Sequence, residues 1–370
     1  MIDRRHALLG TMAAGLSVGV HAQAPPPARI GRRRPRQPDP TETIELWPDG
    51  APGSPSRLPI EVVEDRATGD AVADRAVHGI ARPRMVVFRP ARPNGSAALV
   101  MPGGGYARIV VDREGYEIAR WLADRGWTVF VLFYRLPGDG WAAGPDVALS
   151  DAQRGLRLVR SSATRFGIHP DRVAAMGFSA GGHVCGDLAT RFAQPIYAPV
   201  DAADRVSARP DVAALLYAVQ SMALPLAHPG SRALLLGPSP TPALERAHST
   251  AANVTSATPP CFLVHAEDDR SVAVDNSLAF QSGGDKGRRR GRNASVRRGR
   301  ARLRPEPRRR QTGGVMADPV RRLVPRTRPW LTNFACDHSA SYRKSRKRAA
   351  PLPAEYRPGR SIRNPPRTLW

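Results

Sequence analysis

Between residues 44 and 280, short apolar runs rich in β-branched residues alternate with stretches whose apolar residues recur every three to four positions. The stretches Tyr116–Arg125 and Asp151–Phe166 are predicted helices. The runs are short, apolar on both faces and separated by helical stretches. They therefore predict an α/β fold with a mostly parallel central sheet and helices on both faces. The predicted strands are Met85–Phe88, Ala97–Met101, Thr128–Phe133, Val173–Met176, Val212–Tyr217 and Cys261–His265.

The N-terminal end of the chain departs from this pattern. Residues 1–24 contain Arg4-Arg5, an apolar run from Ala7 to Val20 and small residues up to Ala24, which is the arrangement of a signal peptide. A twin-arginine signal and a general secretory signal both fit, so the protein is predicted to be exported, to the periplasm or the medium. The run is shorter than the roughly 20 residues that cross a bilayer, and no membrane span is expected in the mature chain. Residues 25–41 are predicted to be a Pro/Arg-rich linker.

The C-terminal end of the chain differs from the rest in its charge. The formal net charge is +24, but residues 281–370 hold 26 basic and 5 acidic residues, so residues 1–280 are nearly neutral. A globular domain over residues 42–280 with no nucleic-acid partner is therefore expected. Residues 281–370 are dominated by Arg, Pro, Gly and Ser, and we predict a disordered basic tail because little apolar surface is available to bury.

The strongest chemical signal is Gly177-Phe178-Ser179-Ala180-Gly181, directly after a predicted strand and before a helical stretch. Small residues at the two glycine positions allow a tight strand-to-helix reversal that exposes a serine, the nucleophile elbow of serine hydrolases. Ser179 is the predicted nucleophile. An ordinary serine in a tight turn is the alternative.

A glycine-rich loop, Pro102–Tyr106, follows the predicted strand that ends at Met101. Acyl transfer requires donors for a tetrahedral oxyanion, and backbone N–H groups serve where the chain can approach closely. The N–H groups of Gly104 and Gly105, with that of Ala180, are the predicted oxyanion donors. Taken alone, such a loop is also compatible with phosphate binding.

An acidic segment follows the last predicted strand. A residue that orients the catalytic imidazole is expected at the carboxyl end of a late strand, after the serine in chain order. Asp269 is favoured over Asp268 because Val272, an apolar anchor, follows it closely. Two solvated loop acids remain the alternative.

The chain resembles the bacterial carbohydrate-esterase branch of the α/β-hydrolases, the acetyl-xylan and feruloyl esterase-like (BD-FAE-like) proteins. The resemblance implies an α/β-hydrolase fold and a serine esterase acting on acylated carbohydrate such as acetylated xylan, or on a small ester, with no metal and no cofactor. It covers about residues 42–280. The matching segments are Ile44–Pro48, Gly50–Gly53, Pro102–Tyr106, Glu114-Gly115, Tyr134–Pro137, Asp151–Arg154, Gly177–His183 and Pro259–Ser277.

The catalytic histidine is the departure from this family. The resemblance places it about thirty residues after the acid, in a loop like Gly-Gly-His-Gly-Phe-Gly, but the only later histidine here is His338, set among arginines. His183 is expected to pack in a helix, and His265 and His169 are poor substitutes. No catalytic histidine is identified. Activity is therefore predicted to be impaired.

A change of reading frame near Gln281 would explain both the basic tail and the missing histidine. Written as degenerate codons and read one nucleotide later, Gly299–Pro305 permits Gly-Gly-His-Gly-Phe-Gly-Leu. A genuine polyanion-binding tail is the competing hypothesis. The alternatives for function are a peptidase of the prolyl-oligopeptidase kind and a non-catalytic binding protein on a hydrolase fold.

Overall fold

A computed structural model describes residues 39–40, 42–68 and 73–287. The predicted signal peptide, residues 1–24, and nearly all of the predicted linker lie outside the described residues, as does His338. Within the described ranges, no helix is long and apolar enough to cross a membrane.

A seven-stranded central sheet carries the fold. Its strand order is β1-β4-β7-β5-β8-β9-β10, in which β1, β4 and β7 pair antiparallel and all later neighbours pair parallel. Every residue of β5, β7, β8 and β9 is buried, and since successive side chains point to opposite faces, both faces of the sheet are covered. The strands are β1 Thr43–Glu45, β2 Val62–Asp65, β3 Arg75–His78, β4 Arg84–Phe88, β5 Ala97–Met101, β6 Ile109–Val110, β7 Thr128–Phe133, β8 Val173–Phe178, β9 Val212–Leu216 and β10 Cys261–Val264.

The helices lie mostly between the parallel strands, as the alternating pattern predicts. The predicted helix Asp151–Phe166 begins earlier, at Val147, and divides at Ser162 into two helices, the second of which ends at Gly167 with φ +62°. The predicted helix Tyr116–Arg125 is shorter and follows a π-helix over Asp112–Tyr116. The α-helices are α1 Glu117–Ala123, α2 Val147–Ser161, α3 Ala163–Phe166, α4 Ser179–Arg191, α5 Pro229–Leu236, α6 Pro242–Ala247 and α7 Asp275–Gly287.

The mostly parallel sheet confirms the predicted fold class. Helix α7 crosses the predicted domain boundary at Phe280 and continues to Gly287, so the helical structure extends into the first residues of the predicted tail. A second, three-stranded antiparallel sheet in the order β2-β3-β6 was not predicted. Its outer strand β2 is exposed along its whole length and therefore lacks the alternation that marks a half-buried strand.

A buried polar network joins β1 and the segment after it to the central sheet. Arg135 pairs with Asp151 at 2.8 Å, and neither side chain is exposed to solvent. The indole Nε1 of Trp47 donates to Asp151 at 2.8 Å, and Arg154 donates to the carbonyl oxygen of Leu46 at 3.0 Å. Three of the segments that carry the family resemblance therefore meet in this network. The charged residues of this network can be buried because each of them has a hydrogen-bonding partner.

Candidate active site

Ser179 lies at the turn between β8 and α4. It adopts φ +49°, which is uncommon for a residue with a side chain. A Cβ atom on Gly177 would lie 2.2 Å from the carbonyl oxygen of Gly181, and one on Gly181 would lie 2.3 Å from those of Met101 and Pro102. Both glycines are thus required by close backbone contacts, as the elbow motif predicts. Ser179 itself remains partly exposed, and its Oγ makes no hydrogen bond with any described residue.

The glycine-rich loop runs directly beside Ser179. A Cβ atom on Gly103 would lie 2.9 Å from Cβ of Ser179 and 2.6 Å from the carbonyl oxygen of Phe178. Gly104 (φ +140°) and Gly105 (φ +69°) then turn the chain through conformations that favour glycine. The structure therefore brings the loop to the nucleophile.

The predicted oxyanion donors have N–H groups without a partner in the described part of the chain. Neither Gly104 nor Gly105 donates a backbone hydrogen bond there. Ala180 lies in the first turn of α4, where N–H groups have no intrahelical acceptor. The N–H of Gly103, in contrast, donates to Glu114 Oε2 at 2.7 Å. The N–H groups predicted to stabilise an oxyanion are therefore not used by other described residues of the site.

Two tyrosines support the loop, and the sequence reasoning assigned neither a role. Tyr134 donates its hydroxyl hydrogen to the carbonyl oxygen of Pro102 at 2.8 Å. Tyr106 (φ +64°) forms a 2.6 Å hydrogen bond with Nδ1 of His183. Nε2 of His183 donates to the carbonyl oxygen of His248 at 2.7 Å, and in the neutral ring Nδ1 then accepts from Tyr106. Burial lowers the pKa of His183, which favours the same neutral form.

Asp269 and Asp268 lie in different environments. The Asp269 side chain is buried, and Oδ1 accepts hydrogen bonds from the N–H groups of Ser271 at 2.8 Å and Val272 at 3.0 Å. Asp268 is exposed. Of the two, Asp269 is the one whose carboxylate is held by hydrogen bonds to the described backbone, and its assignment as the acid stays a prediction.

His265 is the imidazole beside Asp269, with Nε2 3.8 Å from Oδ2. Nε2 donates to the carbonyl oxygen of Val272 at 2.8 Å, and Nδ1 accepts from the hydroxyl of Ser277 at 2.8 Å. Nε2 therefore contacts the acidic loop, and Nδ1 contacts the first turn of α7. Burial lowers the pKa of His265, which again favours the neutral ring.

None of the described histidines forms a hydrogen bond with Ser179. His183 and His265 use both ring nitrogens in the contacts above, while His228 caps α5 by accepting from Ser231 N–H at 3.1 Å. His248 lies against the Arg191 guanidinium, and the His169 ring lies beside Gly95. Among the described residues, the predicted nucleophile Ser179 and the predicted oxyanion loop thus lie side by side, and none of the imidazoles there bonds to Ser179.

One cluster has the donor spacing of a metal site. Ligand atoms of Asp146, Asp187 and His248 lie within 4.8 Å of one another. The Arg191 guanidinium lies among them, 2.7 Å from Asp146 and 3.1 Å from Asp187. These carboxylates therefore already have the Arg191 guanidinium as a partner, and the cluster is explained as a partly buried ion-pair network.

Comparison with known proteins decides the family. Residues 87–283, more than half of the chain, match the BD-FAE family. The chain belongs to the BD-FAE family. The family match spans the glycine-rich loop, the elbow and Asp269.

Relatives within and around this family are esterases and xylan-degrading enzymes. The chain is 36% identical over 204 residues to an acetylxylan esterase of Xylanibacter ruminicola, covering 54% of this chain and 39% of that protein. It is also 36% identical over 182 residues to endo-1,4-β-xylanase B of Butyrivibrio fibrisolvens, covering 49% of this chain and 28% of that one. The chain thus spans less than half the length of these curated relatives.

A solved structure gives the same assignment. The acetyl ester-xyloside bifunctional hydrolase of Caldicellulosiruptor lactoaceticus is 32% identical, with a TM-score of 0.52, over 70% of this chain and 84% of that one. The α/β-hydrolase fold and membership of an esterase family follow from these matches, in agreement with the expectation from the motifs.

Proposed function

We propose that this chain is a serine-dependent carboxylic ester hydrolase that acts on acyl groups of carbohydrate, such as acetylated xylan, or on small esters. The observation that carries the proposal is the close approach of the glycine-rich loop to Ser179, with the N–H groups of Gly104 and Gly105 making no bond to another described residue. The names of the relatives support the carbohydrate ester as substrate.

In the proposed reaction, Ser179 Oγ attacks the ester carbonyl carbon and loses its proton to a base. The carbonyl oxygen becomes an oxyanion that accepts from the N–H groups of Gly104, Gly105 and Ala180. Collapse of the tetrahedral intermediate releases the alcohol and leaves an acyl group on Ser179, which water then removes as a carboxylic acid. Asp269 would orient the imidazole that transfers these protons.

We infer that turnover by the chain as written is weak. Without a base in hydrogen-bonding reach, a serine hydroxyl is a poor nucleophile at neutral pH. Loss of one triad member removes several orders of magnitude in rate but leaves a residual contribution from the oxyanion donors. The observation that Ser179 Oγ makes no hydrogen bond with any described residue supports this inference. The same observation favours a second candidate function equally, that of a non-catalytic binding protein on the same fold.

The substrate panel is acetylated xylan, a feruloyl ester and a proline-containing dipeptide amide, each assayed with the unaltered chain and with Ser179→Ala. Slow, Ser179-dependent hydrolysis of the esters supports the proposal. Dominant amide cleavage would favour the prolyl-oligopeptidase-like alternative. Binding of xylan fragments without any Ser179-dependent hydrolysis would favour the binding protein.

We also propose that a single-nucleotide frame change near Gln281 has displaced the catalytic histidine. The codon that overlaps Ala301 and Arg302 would encode it in the shifted frame, some 32 residues after Asp269, where the family resemblance places it. Sequencing codons 278–334 decides the matter. A stop codon in the shifted frame before codon 301, or no histidine codon at that overlap, would contradict the hypothesis and make the basic tail a genuine feature.

A further inference from the structure

Glu114 lies in a feature of the fold that the proposed reaction leaves without a role. The segment Glu114-Gly115 is part of the family resemblance, and it occupies the π-helix Asp112–Tyr116. There the N–H of Tyr116 donates to the carbonyl oxygen of Val111 at 2.8 Å, five residues earlier. π-Helical turns are rare, and those that occur are often found at functional sites. The π-helix therefore indicates that this segment has a functional role.

The π-turn brings the Glu114 carboxylate to the stem of the glycine-rich loop. Oε2 accepts the N–H of Gly103 at 2.7 Å. A Cβ atom on Gly103 would lie 2.7 Å from this oxygen and 2.9 Å from Cβ of Ser179, so the carboxylate and the nucleophile flank the same glycine. Gly115 makes the approach feasible, since a Cβ there would lie 3.0 Å from Val131 Cγ1 and 3.3 Å from Pro102 Cγ.

The second oxygen of Glu114 accepts from Tyr217. The Tyr217 hydroxyl donates to Oε1 at 2.9 Å from the residue that follows β9. Tyr217 adopts φ +38°, a strained conformation that persists where the surroundings determine it. Two residues later, the N–H of Val219 donates to the carbonyl oxygen of Ser179 at 3.3 Å. Glu114 therefore links the glycine-rich loop to the segment that also contacts the nucleophile.

These contacts fix the peptide between Pro102 and Gly103 on both sides. Its N–H donates to Glu114, and its carbonyl oxygen accepts from Tyr134 at 2.8 Å. A peptide held by two side chains is restrained, and it directly precedes Gly104 and Gly105, whose N–H groups donate to no described residue.

We propose that Glu114 and Tyr217 form a positioning pair that sets the oxyanion loop, fixing which backbone N–H groups stabilise the transition state. The inference rests on the proposed esterase function and assigns a role to the Glu114-Gly115 segment. Neither side chain forms or breaks a covalent bond in the reaction. Their effect is on kcat, through the placement of donors that act in the transition state.

The test compares Glu114→Ala, Glu114→Gln and Tyr217→Phe in the full chain, with p-nitrophenyl acetate as substrate and imidazole as the added base. Tyr197→Phe is the matched control, because it removes a tyrosine-to-carboxylate hydrogen bond, to Asp204 at 2.5 Å, elsewhere in the fold. Glu114→Ala is expected to lower kcat about 10- to 100-fold with KM within about threefold. This is less than the roughly 100- to 1,000-fold effect of removing an oxyanion donor, because the donors are displaced and not removed.

The conservative variants separate positioning from charge. Glu114→Gln is expected to retain activity within about threefold, because its amide oxygen can accept from Gly103 and its amide nitrogen can donate to the Tyr217 oxygen. Tyr217→Phe is expected to lower kcat about threefold to tenfold, the effect of one lost hydrogen bond. Tyr197→Phe should leave kcat unchanged. Unchanged kcat in Glu114→Ala, or a loss in Glu114→Gln as large as that in Glu114→Ala, would overturn the proposal.

A second measurement separates this proposal from the esterase function. If the unaltered chain and Ser179→Ala hydrolyse the ester equally, the proposed function fails, and amide hydrogen exchange over residues 101–106 then decides the positioning role. Faster exchange of this segment in Glu114→Ala and Tyr217→Phe, but not in Tyr197→Phe, would support it. Equal exchange in all four proteins would overturn it.

Discussion

The nucleophile region and the acid region of this site are built differently. The nucleophile region comprises β5, β8, α4 and the glycine-rich loop, and every strand residue in it is buried. The acid region comprises β10, residues 265–272 and α7. There, β10 is the last strand of the sheet, and three of its four residues are partly exposed. The strands of the first region are covered on both faces, whereas the strand of the second region lies at the edge of the sheet.

The difference shows which parts of an active site a local stretch of chain can specify. The proposed oxyanion donors are backbone groups in two segments, residues 102–105 and 177–181, whose close contacts require glycine, so the local sequence is enough to predict them. The proton acceptor must come from a side chain on a later segment.

The largest effect is expected from a single methyl group in the nucleophile region. Gly181→Ala would place a Cβ 2.3 Å from two carbonyl oxygens of the neighbouring loop stem, so the helix must move or unfold. A loss of about 4 kcal/mol in unfolding free energy is expected, measured by urea denaturation. Gly167→Ala is the control, since its φ is +62° but no atom lies within 4 Å, and a cost of about 1 kcal/mol is expected. Equal costs would show that α4 is not held by this contact.

The two regions can be compared directly with one substitution made in each. Val173 in β8 is fully buried, whereas Val264 in β10 is partly exposed. Val173→Ala is expected to cost about 2 kcal/mol in unfolding free energy and Val264→Ala about 1 kcal/mol, because cavity formation requires a closed surrounding. Denaturation of both variants under one condition measures the difference. A larger cost at Val264 would mean that β10 is as well covered as β8.

The strands of the central sheet are predictable from the sequence because they are apolar on both faces. The predicted strands Ala97–Met101 and Thr128–Phe133 match the observed bounds, and the elbow glycines follow from steric necessity. The sheet containing β2 was missed because that strand is exposed. The π-helix has no periodicity that distinguishes it from an α-helix.

The contacts that position the loop could not be predicted from spacing alone. Tyr106 and His183 lie 77 residues apart in the chain, and Glu114 and Tyr217 lie 103 apart. Only the fold brings each pair together. The available signal was the family resemblance at Tyr106 and at Glu114-Gly115, which marked these positions without giving their roles.

Added imidazole should supply the base that Ser179 lacks. If Ser179 lacks only a base, 100 mM imidazole is expected to raise Ser179-dependent hydrolysis of p-nitrophenyl acetate about tenfold, a fraction of what a positioned base contributes. The Ser179→Ala variant corrects for direct hydrolysis by imidazole. Asp269→Asn should reduce the rescue severalfold, because the added ring would lose its orienting carboxylate. Rescue that is equal in Asp269→Asn would exclude Asp269 from that role.

The smallest effect is a dependence of stability on pH that draws on both regions. Burial lowers the pKa of His183 in the nucleophile region and of His265 in the acid region below the ordinary value of 6.5. Below pH 6.5 the unfolded chain therefore binds protons that the folded chain does not, and stability falls as the pH decreases. Above that value the contribution is constant. A decrease of a few degrees in Tm from pH 7.5 to 5.5 is expected.

One variant assigns this pH dependence to a region. His265→Gln removes a titrating group from the acid region and should flatten the dependence of Tm on pH between pH 7.5 and 5.5. It should also lower Tm at every pH, because the hydrogen bonds to Val272 and Ser277 are broken. The Asp269 carboxylate 3.8 Å from His265 opposes the effect of burial, so Asp269→Asn should steepen the profile instead. A flatter profile in His265→Gln together with a steeper one in Asp269→Asn would place an acid-sensitive element in the loop that carries Asp269. Parallel profiles would assign the dependence to His183 and the buried histidines around it.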